Sequence, residues 1–202
     1  MSTITLQHVL ADRLMPRSSV LTNSVLVGAG ALTVGLLAQI SVPLWPVPIT
    51  GQTLGVMLVG ATLGARRGAL SMLSYLMAGL AGLPWFSAMT GGFTVIASPS
   101  FGYILGFIPT AFIIGYLSER TWDRKPLLAL AAFGIASIIP FLVGIPYMWF
   151  VLHLAGTTLG LTATLNAGFV PFIIGGIVKM ILAAMILPGT WKAVEWVERK
   201  AS

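Results

Sequence analysis

Residues 127–153 read LLALAAFGIASIIPFLVGIPYMWFVLH, a run of 27 residues that contains no Asp, Glu, Lys or Arg. A helix needs about 20 apolar residues to cross a bilayer, so this run is long enough to span one. The strands of a membrane barrel alternate apolar and polar side chains, and this sequence shows no such alternation. Only 8% of the 202 residues are charged, against roughly 25% in soluble domains. The sequence therefore predicts an all-α membrane protein.

The few charged residues fall into clusters that set the predicted topology. The clusters lie at residues 12–17, 66–67, 119–125 and 192–200. Each of the three apolar blocks between them is long enough for two spans, which places all the clusters on one side of the membrane. Of the 11 Lys and Arg residues, all but Lys179 belong to these clusters, and a basic excess marks the cytoplasmic side. We expect six transmembrane helices in the cytoplasmic membrane, with both termini in the cytoplasm.

The breaks between apolar runs predict one membrane domain over residues 1–202. The expected spans are about residues 21–41, 51–65, 68–83, 101–117, 127–153 and 166–187. Residues 42–50, here called the first loop, contain three prolines and should be extended, because proline does not continue a helix. Residues 84–100, the second loop, form another irregular segment on the same outer side.

Two shorter segments are predicted to face the cytoplasm. Residues 66–68 form the turn between the second and third spans. Residues 191–200 form a short amphipathic helix on the inner surface, with its apolar side chains toward lipid and its basic ones toward water. The apolar side chains are Trp191, Val194 and Val197.

Small residues recur at helical spacing in the first three spans. They are Gly51, Gly55, Gly60, Gly64 and Gly68, which follow one another every four or five residues, and the pair Ala31 and Gly35. Small side chains let helices approach closely in a membrane. The pattern predicts either packing within the bundle or a docking face for a partner membrane protein.

Sequence signatures of catalysis are missing. The chain has no Gly-x-x-x-x-Gly-Lys-Ser/Thr run for nucleotide phosphates, no cysteine, and only His8 and His153 as histidines. No Asp or Glu lies in a predicted span, where a proton relay would need one. We expect a protein that is not an enzyme and that has no metal, no cofactor and no nucleic-acid partner.

Lys179 is the one charged residue within a predicted span. It lies about nine residues before Pro188, which is roughly 13 Å from the inner end of the span at the helical rise. A lysine at that depth is costly unless it faces a cavity or an anion. Because no acidic residue of the spans can pair with it, the sequence predicts that Lys179 meets an anionic group of a ligand. The alternative is a lysine that reaches the interface or bonds backbone carbonyls.

Polar and aromatic side chains gather toward the outer ends of the spans. They are Trp45, Thr50, Gln52, Thr53, Trp85, Phe86, Thr90, Tyr103, Tyr147, Trp149 and Asn166. Tyrosine and tryptophan often mark only the membrane interface. With the polar groups nearby, they also fit an apolar pocket with a few hydrogen-bonding groups, which is the usual form of a small-molecule site.

Five runs of the sequence resemble a known family. They are AQISVPLWPVPITGQTLGV at residues 38–56, LGARRGALS at 63–71, YLxxGxxGLPxF at 75–86, GYxxGF at 102–107 and PFxxGxxxK at 171–179. In this order and spacing they resemble the BioY family, the biotin-specific S components of energy-coupling-factor (ECF) transporters. The similarity extends over about residues 25–190.

The resemblance implies an S-component-like bundle of six helices that captures biotin from outside the cell. The partners implied are membrane lipid, an ECF transmembrane coupling subunit and ATPase subunits, or further copies of this chain if it acts alone. Lys179 would neutralise the biotin carboxylate. The expected hydrogen-bonding residues are Gln52, Thr50, Thr90 and Asn166. The expected aromatic residues of the site are Trp45, Trp85, Phe86, Tyr103 and Tyr75.

The chain departs from the family pattern at two positions. Gly176 stands where family members commonly have Asp, three residues before Lys179, and Thr90 stands where many have Asn. Both changes alter the groups available to a ligand. Two other functions stay open from the sequence, a passive channel for small solutes and a structural subunit of a larger membrane complex.

Overall fold

The computed structural model describes residues 9–15 and 19–201, which are mostly helical. His8 and Arg17, the last residue of the charge cluster at residues 12–17, lie outside the described residues. The helices are α1 (Leu10–Leu14), α2 (Val20–Ala38), α3 (Gln52–Leu63), α4 (Ala65–Leu80), α5 (Phe101–Ser118), α6 (Pro126–Leu154), α7 (Leu161–Gly168) and α8 (Phe172–Ala201). Four of them, α2, α5, α6 and α8, are long and apolar enough to cross a membrane. The predicted helical class is confirmed at this level.

Helix α5 forms the centre of the bundle. It packs against α3, α4 and α6, while α8 packs against α6 and α3, and α2 packs against α3 and α4. The side chains of Phe107, Ala111 and Ile114 on α5 are buried. Helices α2, α6 and α8 also leave rows of Leu, Ile and Val exposed. A helix that is apolar on its outer face as well as its inner one suits a lipid environment.

The glycines of α3 and α4 allow close contact with neighbouring helices of the same chain. A Cβ atom on Gly60 would lie 2.2 Å from Ile114 of α5, and one on Gly68 would lie 2.9 Å from the Cα of Gly60. Gly51 and Gly55 approach α2 in the same way, Gly35 packs on the ring of Trp85, and Ala31 is buried. Packing within the chain therefore accounts for these small residues.

The turn between α3 and α4 is tighter than predicted. Gly64 has a φ of 85° and alone separates the two helices, so Arg66 and Arg67 lie in the first turn of α4 rather than in a loop. Only glycine adopts this backbone conformation without strain. At its other end α4 stops at Leu80, before Gly82 with a φ of 107°.

The last predicted span and tail are arranged differently in the structure. Asn166 belongs to the separate helix α7, and α8 begins only at Phe172. Helix α8 then continues through Pro188 to Ala201, so residues 191–200 are not a separate surface helix. Trp191 is buried instead of facing lipid, and its indole Nε1 donates a hydrogen bond of 2.6 Å to Asp123. This anchor holds the end of α8 against the turn between α5 and α6.

The bundle has two unlike ends. One carries α1, the Gly64 turn, the turn before α6 and the end of α8, and we call it the charged end. Ion pairs join Arg13 to Glu198 and Arg67 to Asp12 there. They tie the short helix α1, which the sequence did not predict, to α4 and α8.

The opposite end carries the two loops, and we call it the loop end. In the first loop the proline-rich chain is extended, as predicted, and its ends pair as antiparallel strands β1 (Ser41–Val42) and β2 (Ile49–Thr50). The second loop contains two 3₁₀ turns, Ser87–Met89 and Phe93–Ala97. These loops meet the ends of α3, α5, α6 and α8, which form a cavity beneath them.

Candidate ligand-binding cavity

A cavity of about 730 Å³ lies at the loop end of the bundle. The two loops and helices α3, α5, α6 and α8 form its walls. Much of the lining is apolar, including Val56, Met57, Phe107, Phe141 and Phe172. Pockets for small molecules measure about 300–1,000 Å³ and combine apolar walls with a few polar groups. This cavity therefore has the size and lining of a small-molecule site.

Lys179 is the cation of the cavity wall. Its Nζ donates hydrogen bonds to the carbonyl oxygen of Thr50 and, at 3.0 Å, to the hydroxyl of Thr53. Both partners are neutral, and within residues 9–15 and 19–201 Lys179 forms no ion pair with a carboxylate. The contacts satisfy hydrogen-bond donors of the ammonium group and leave its charge uncompensated. An anionic group in the cavity would supply the missing charge.

Gly176 leaves the space beside Lys179 open. It lines the cavity, and a Cβ atom built on it would meet no other atom within 4 Å. Helical spacing places Phe172, Gly176 and Lys179 on one face of α8, because residues three and four apart are neighbours on a helix. This face of α8 therefore presents the Phe172 ring, the open space at Gly176 and the Lys179 ammonium group to the cavity.

Gln52 is held in one orientation by hydrogen bonds at both ends of its amide. Thr50 Oγ1 donates to Gln52 Oε1 at 2.7 Å, and Gln52 Nε2 donates to the hydroxyl of Tyr75 at 2.7 Å. Tyr75 in turn donates to the carbonyl of Trp85 at 3.1 Å. Thr50 and Gln52 line the cavity, whereas Tyr75 is fully buried behind them. Tyr75 thus supports the wall and does not form part of its surface.

Tyr103 belongs to an aromatic wall on the α5 and α8 side. Its ring stacks on Phe172 with 6.1 Å between centroids and meets Phe141 edge-on at 5.9 Å. Its hydroxyl donates to the carbonyl of Gly168 at 2.8 Å, so the polar tip is satisfied away from the cavity. The ring therefore presents mostly apolar surface to the cavity.

The second loop brings Phe86 and Thr90 to the cavity and turns Trp85 away from it. The Thr90 hydroxyl donates to the carbonyl of Ser87, and Phe86 is buried with its ring over Gly79. Trp85 instead packs on Gly35, and its Nε1 donates to the carbonyl of Tyr75 at 2.9 Å. It does not line the cavity, which corrects its predicted position.

Trp45 and Asn166 also differ from their predicted positions. The Trp45 side chain is 71% exposed, and the cavity is lined by its neighbours Pro46 and Val47. Asn166 is exposed on α7 and does not reach the cavity. One step along an extended chain reverses the direction of a side chain, and one step along a helix turns it by about 100°, so a small error in register changes which way Trp45 or Asn166 faces.

Several lining residues were not predicted. They are Thr94, Ser98, Ser100, Thr110, Ser137, Phe141 and Phe172. Phe172 lies seven residues before Lys179, and this helical spacing in the run at residues 171–179 is the signal that could have identified it. The hydroxyls of Thr110 and Ser137 donate to carbonyls of their own helices. Their direction depends on how the helices pack, so no sequence signal marks them.

Comparison with known proteins identifies the family. The family model described as the BioY family matches residues 10–196 of this chain. The chain belongs to the BioY family. The resemblance carried by the five sequence runs is therefore confirmed.

This BioY-family chain aligns with named relatives over most of its length. It is 40% identical over 158 residues to the biotin transporter BioY of Rhizobium etli, an alignment of 77% of this chain and 83% of the relative. It is 35% identical over 163 residues to the biotin transporter BioY of Thermotoga maritima, with 80% and 92% covered.

A solved structure shares the fold. It is the S-component for biotin from an ECF-type ABC transporter, which is 26% identical in sequence and matches with a TM-score of 0.61. The match covers 85% of this chain and 92% of the solved chain. The helical bundle described above is therefore similar to an S-component.

Proposed function

We propose that this chain binds biotin in the cavity at the loop end and is the substrate-binding subunit of a biotin uptake system. The observation that carries the proposal is Lys179, a cation in the cavity wall whose described partners, Thr50 and Thr53, are both neutral. Biotin carries one carboxylate, which would neutralise this charge. In this proposal biotin is the cargo, and the chain performs transport without catalysis or a cofactor.

The remaining groups of biotin match the other walls of the cavity. Its ureido ring has N–H donors and a carbonyl acceptor, which suit hydroxyl and amide side chains such as Thr50, Gln52 and Thr90. Its sulfur-containing ring and aliphatic chain suit the apolar surfaces of Phe86 and Tyr103. Burial of this apolar area would supply much of the affinity, while the polar contacts would select the ligand.

The proposed topology has six membrane spans with both termini in the cytoplasm. In it the short helices α3 and α4 cross the bilayer together with the four longer ones, and the charged end faces the cytoplasm. The positive excess at that end supports this orientation. The cavity would then take biotin from outside the cytoplasmic membrane.

The proposed partners supply the energy for uptake. The sequence has no nucleotide-binding run, so a chain that accumulates biotin needs ATPase subunits and a transmembrane coupling subunit, as the similarity to an S-component suggests. A homo-oligomer is the arrangement proposed for a chain that acts without them.

The test is direct ligand analysis of the detergent-purified chain from cells grown with biotin. Mass spectrometry of the released small molecules should find biotin, and calorimetric titration of the ligand-free chain should show saturable binding of one biotin per chain. A chain that releases and binds no biotin would refute the proposal. Solute flux through liposomes that contain this chain alone, without tight ligand binding, would instead identify a passive channel.

A further inference from the structure

Gln39 does not line the cavity, yet its side chain joins the end of α2 to the second loop, which forms part of the cavity wall. It follows the last residue of α2, just before the first loop. Its Nε2 donates to the carbonyl of Gly35 in α2 at 3.0 Å and to the carbonyls of Trp85 at 3.2 Å and Phe86 at 3.1 Å in the second loop. Its Oε1 accepts a hydrogen bond of 3.1 Å from the backbone N–H of Met89. One amide group therefore connects the end of α2 to three positions of the second loop.

The part of the second loop that Gln39 contacts has an unusual backbone. Ala88 has a φ of 58° and Met89 a φ of 56°, so two consecutive non-glycine residues are left-handed. Such residues are strained and persist where surrounding contacts hold them. Ala88 and Met89 both line the cavity. The strained turn is thus a piece of the cavity wall.

The hydrogen bonds of this turn show what holds it. Within the second loop, Phe86 N–H donates to the Thr90 carbonyl at 3.0 Å and the Thr90 hydroxyl donates to the Ser87 carbonyl at 2.9 Å. These bonds close the turn on itself but do not fix it to the bundle. In the described part of the chain, residues 87–89 form one hydrogen bond to a side chain of another element. It runs from the Met89 backbone N–H to Gln39 Oε1.

We propose that Gln39 is a positioning residue that holds Ala88 and Met89 in the left-handed conformation and so keeps both residues in place for the ligand. The proposal rests on the proposed biotin function for its binding test. Without Gln39 the turn relaxes to negative φ for part of the time. The apparent affinity is then the intrinsic affinity multiplied by the fraction of molecules that retain the binding-competent wall.

Biotin affinity of four chains tests this role: the parent, Gln39→Ala, Ala88→Gly and the double variant. Glycine adopts positive φ without a steric penalty, so it replaces part of what Gln39 supplies. We expect Gln39→Ala to weaken biotin binding by about tenfold in the parent background. In the Ala88→Gly background the same substitution should weaken it by less than about threefold, and the four affinities together give the coupling between the positions.

The matched control is Ala97→Gly in the next 3₁₀ turn. Ala97 is exposed, does not line the cavity and has no positive φ. In its background the loss caused by Gln39→Ala should remain about tenfold. Three results would overturn the proposal: no loss with Gln39→Ala, an equal loss in the Ala88→Gly background, or equal relief by Ala97→Gly.

Hydrogen exchange of the ligand-free chain separates this proposal from the biotin assignment. The Met89 amide should exchange at least about tenfold faster in Gln39→Ala than in the parent, because its hydrogen-bond acceptor is gone. Gln39→Asn, whose amide is one methylene shorter, should show the same direction of change and serves if Gln39→Ala does not fold. An unchanged Met89 exchange rate overturns the role of Gln39, whether or not the parent binds biotin.

Discussion

The two ends of the bundle differ in the partners of their charged side chains. At the charged end the chain supplies its own partners: Arg13 pairs with Glu198 at 2.6 Å, and Arg67 pairs with Asp12. At the loop end, the partners of Lys179 among the described residues are the neutral oxygens of Thr50 and Thr53. Neutral acceptors fix the position of an ammonium group but do not compensate its charge, so the group still favours a nearby anion.

Charged pairs at one end therefore stabilise the fold, whereas the uncompensated charge at the other end is available to a ligand. Pairs within the chain fasten elements that are far apart in sequence, as α1 is fastened to α4 and α8. A cation without an acidic partner contributes little to that fastening and leaves a place for a ligand. If the two ends differ in this way, removing the Lys179 charge should weaken ligand binding, whereas changes at the charged end should alter stability.

Lys179→Ala should have the largest effect, on ligand binding. We expect biotin affinity to fall by about 100-fold, because removing one partner of a buried charge pair costs about 2–5 kcal/mol. Biotin methyl ester, which lacks the negative charge, should lose less than about threefold. Calorimetric titration of both ligands measures the difference.

The control for this comparison is Lys125→Ala at the charged end. Lys125 is exposed, does not line the cavity and precedes α6 at the charged end, so both ligands should bind this variant as they bind the parent. Equal losses for biotin and its methyl ester in Lys179→Ala would contradict the assigned role of the charge.

Trp191→Phe should have the next largest effect, on stability. The substitution keeps a ring under the Arg124 guanidinium, which lies 4.2 Å from the Trp191 ring centroid, but removes the indole N–H that bonds Asp123. A buried acceptor left without its donor costs about 1–3 kcal/mol. Thermal unfolding in detergent should detect this loss, while biotin affinity stays unchanged.

Trp196→Phe is the matched control for the indole bond. Trp196 is 53% exposed and packs under Lys200, so its replacement should leave the unfolding temperature near that of the parent. Similar losses in both variants would mean that the Asp123 bond does not anchor α8.

Asp123→Asn should change the pH dependence of stability at the charged end. Burial raises the pKa of the Asp123 carboxyl above its ordinary value, against the opposing effects of the Trp191 hydrogen bond and Arg124. The folded chain therefore keeps a proton that the unfolded chain has released. Stability should fall as pH rises from about 4 through the raised pKa.

Asparagine has no proton to lose in this pH range. The variant should therefore lack the part of the fall in stability that the Asp123 carboxyl causes. Its amide oxygen still accepts from Trp191. Unfolding temperatures of parent and variant at several pH values between about 4 and 7 provide the measurement. Parallel curves for the two chains would rule out Asp123 as the titrating group.

Asn166→Ala should have the smallest effect. The residue is exposed on α7 and does not line the cavity, although the sequence placed it among the hydrogen-bonding candidates. Biotin affinity should change by less than about twofold. Gln52→Leu, at a lining position whose amide is bonded at both ends, is the comparison variant and should bind more weakly. A loss in Asn166→Ala as large as in Gln52→Leu would show that the ligand site extends to α7.

Parts of the candidate site could be predicted because they are local in sequence. Thr50 and Gln52 lie two residues apart at the start of a helix, and Lys179 is distinctive because no acidic residue lies near it in an apolar run. The positions of Trp85 and Trp191 could not be predicted in this way. Each faces a partner on another element, Tyr75 for Trp85 and Asp123 for Trp191, and the direction of a side chain depends on those contacts.

Hydrophobicity, proline content and charge are properties of single residues and short runs. They were enough to predict a helical membrane protein, the approximate helices, the extended first loop and an uncompensated lysine. Three features became visible only in the folded chain: which side chains line the cavity, the continuation of α8 to Ala201, and the contacts between Gln39 and the strained turn of the second loop. These features depend on distances between residues far apart in the chain. Only the packing of the helices sets those distances.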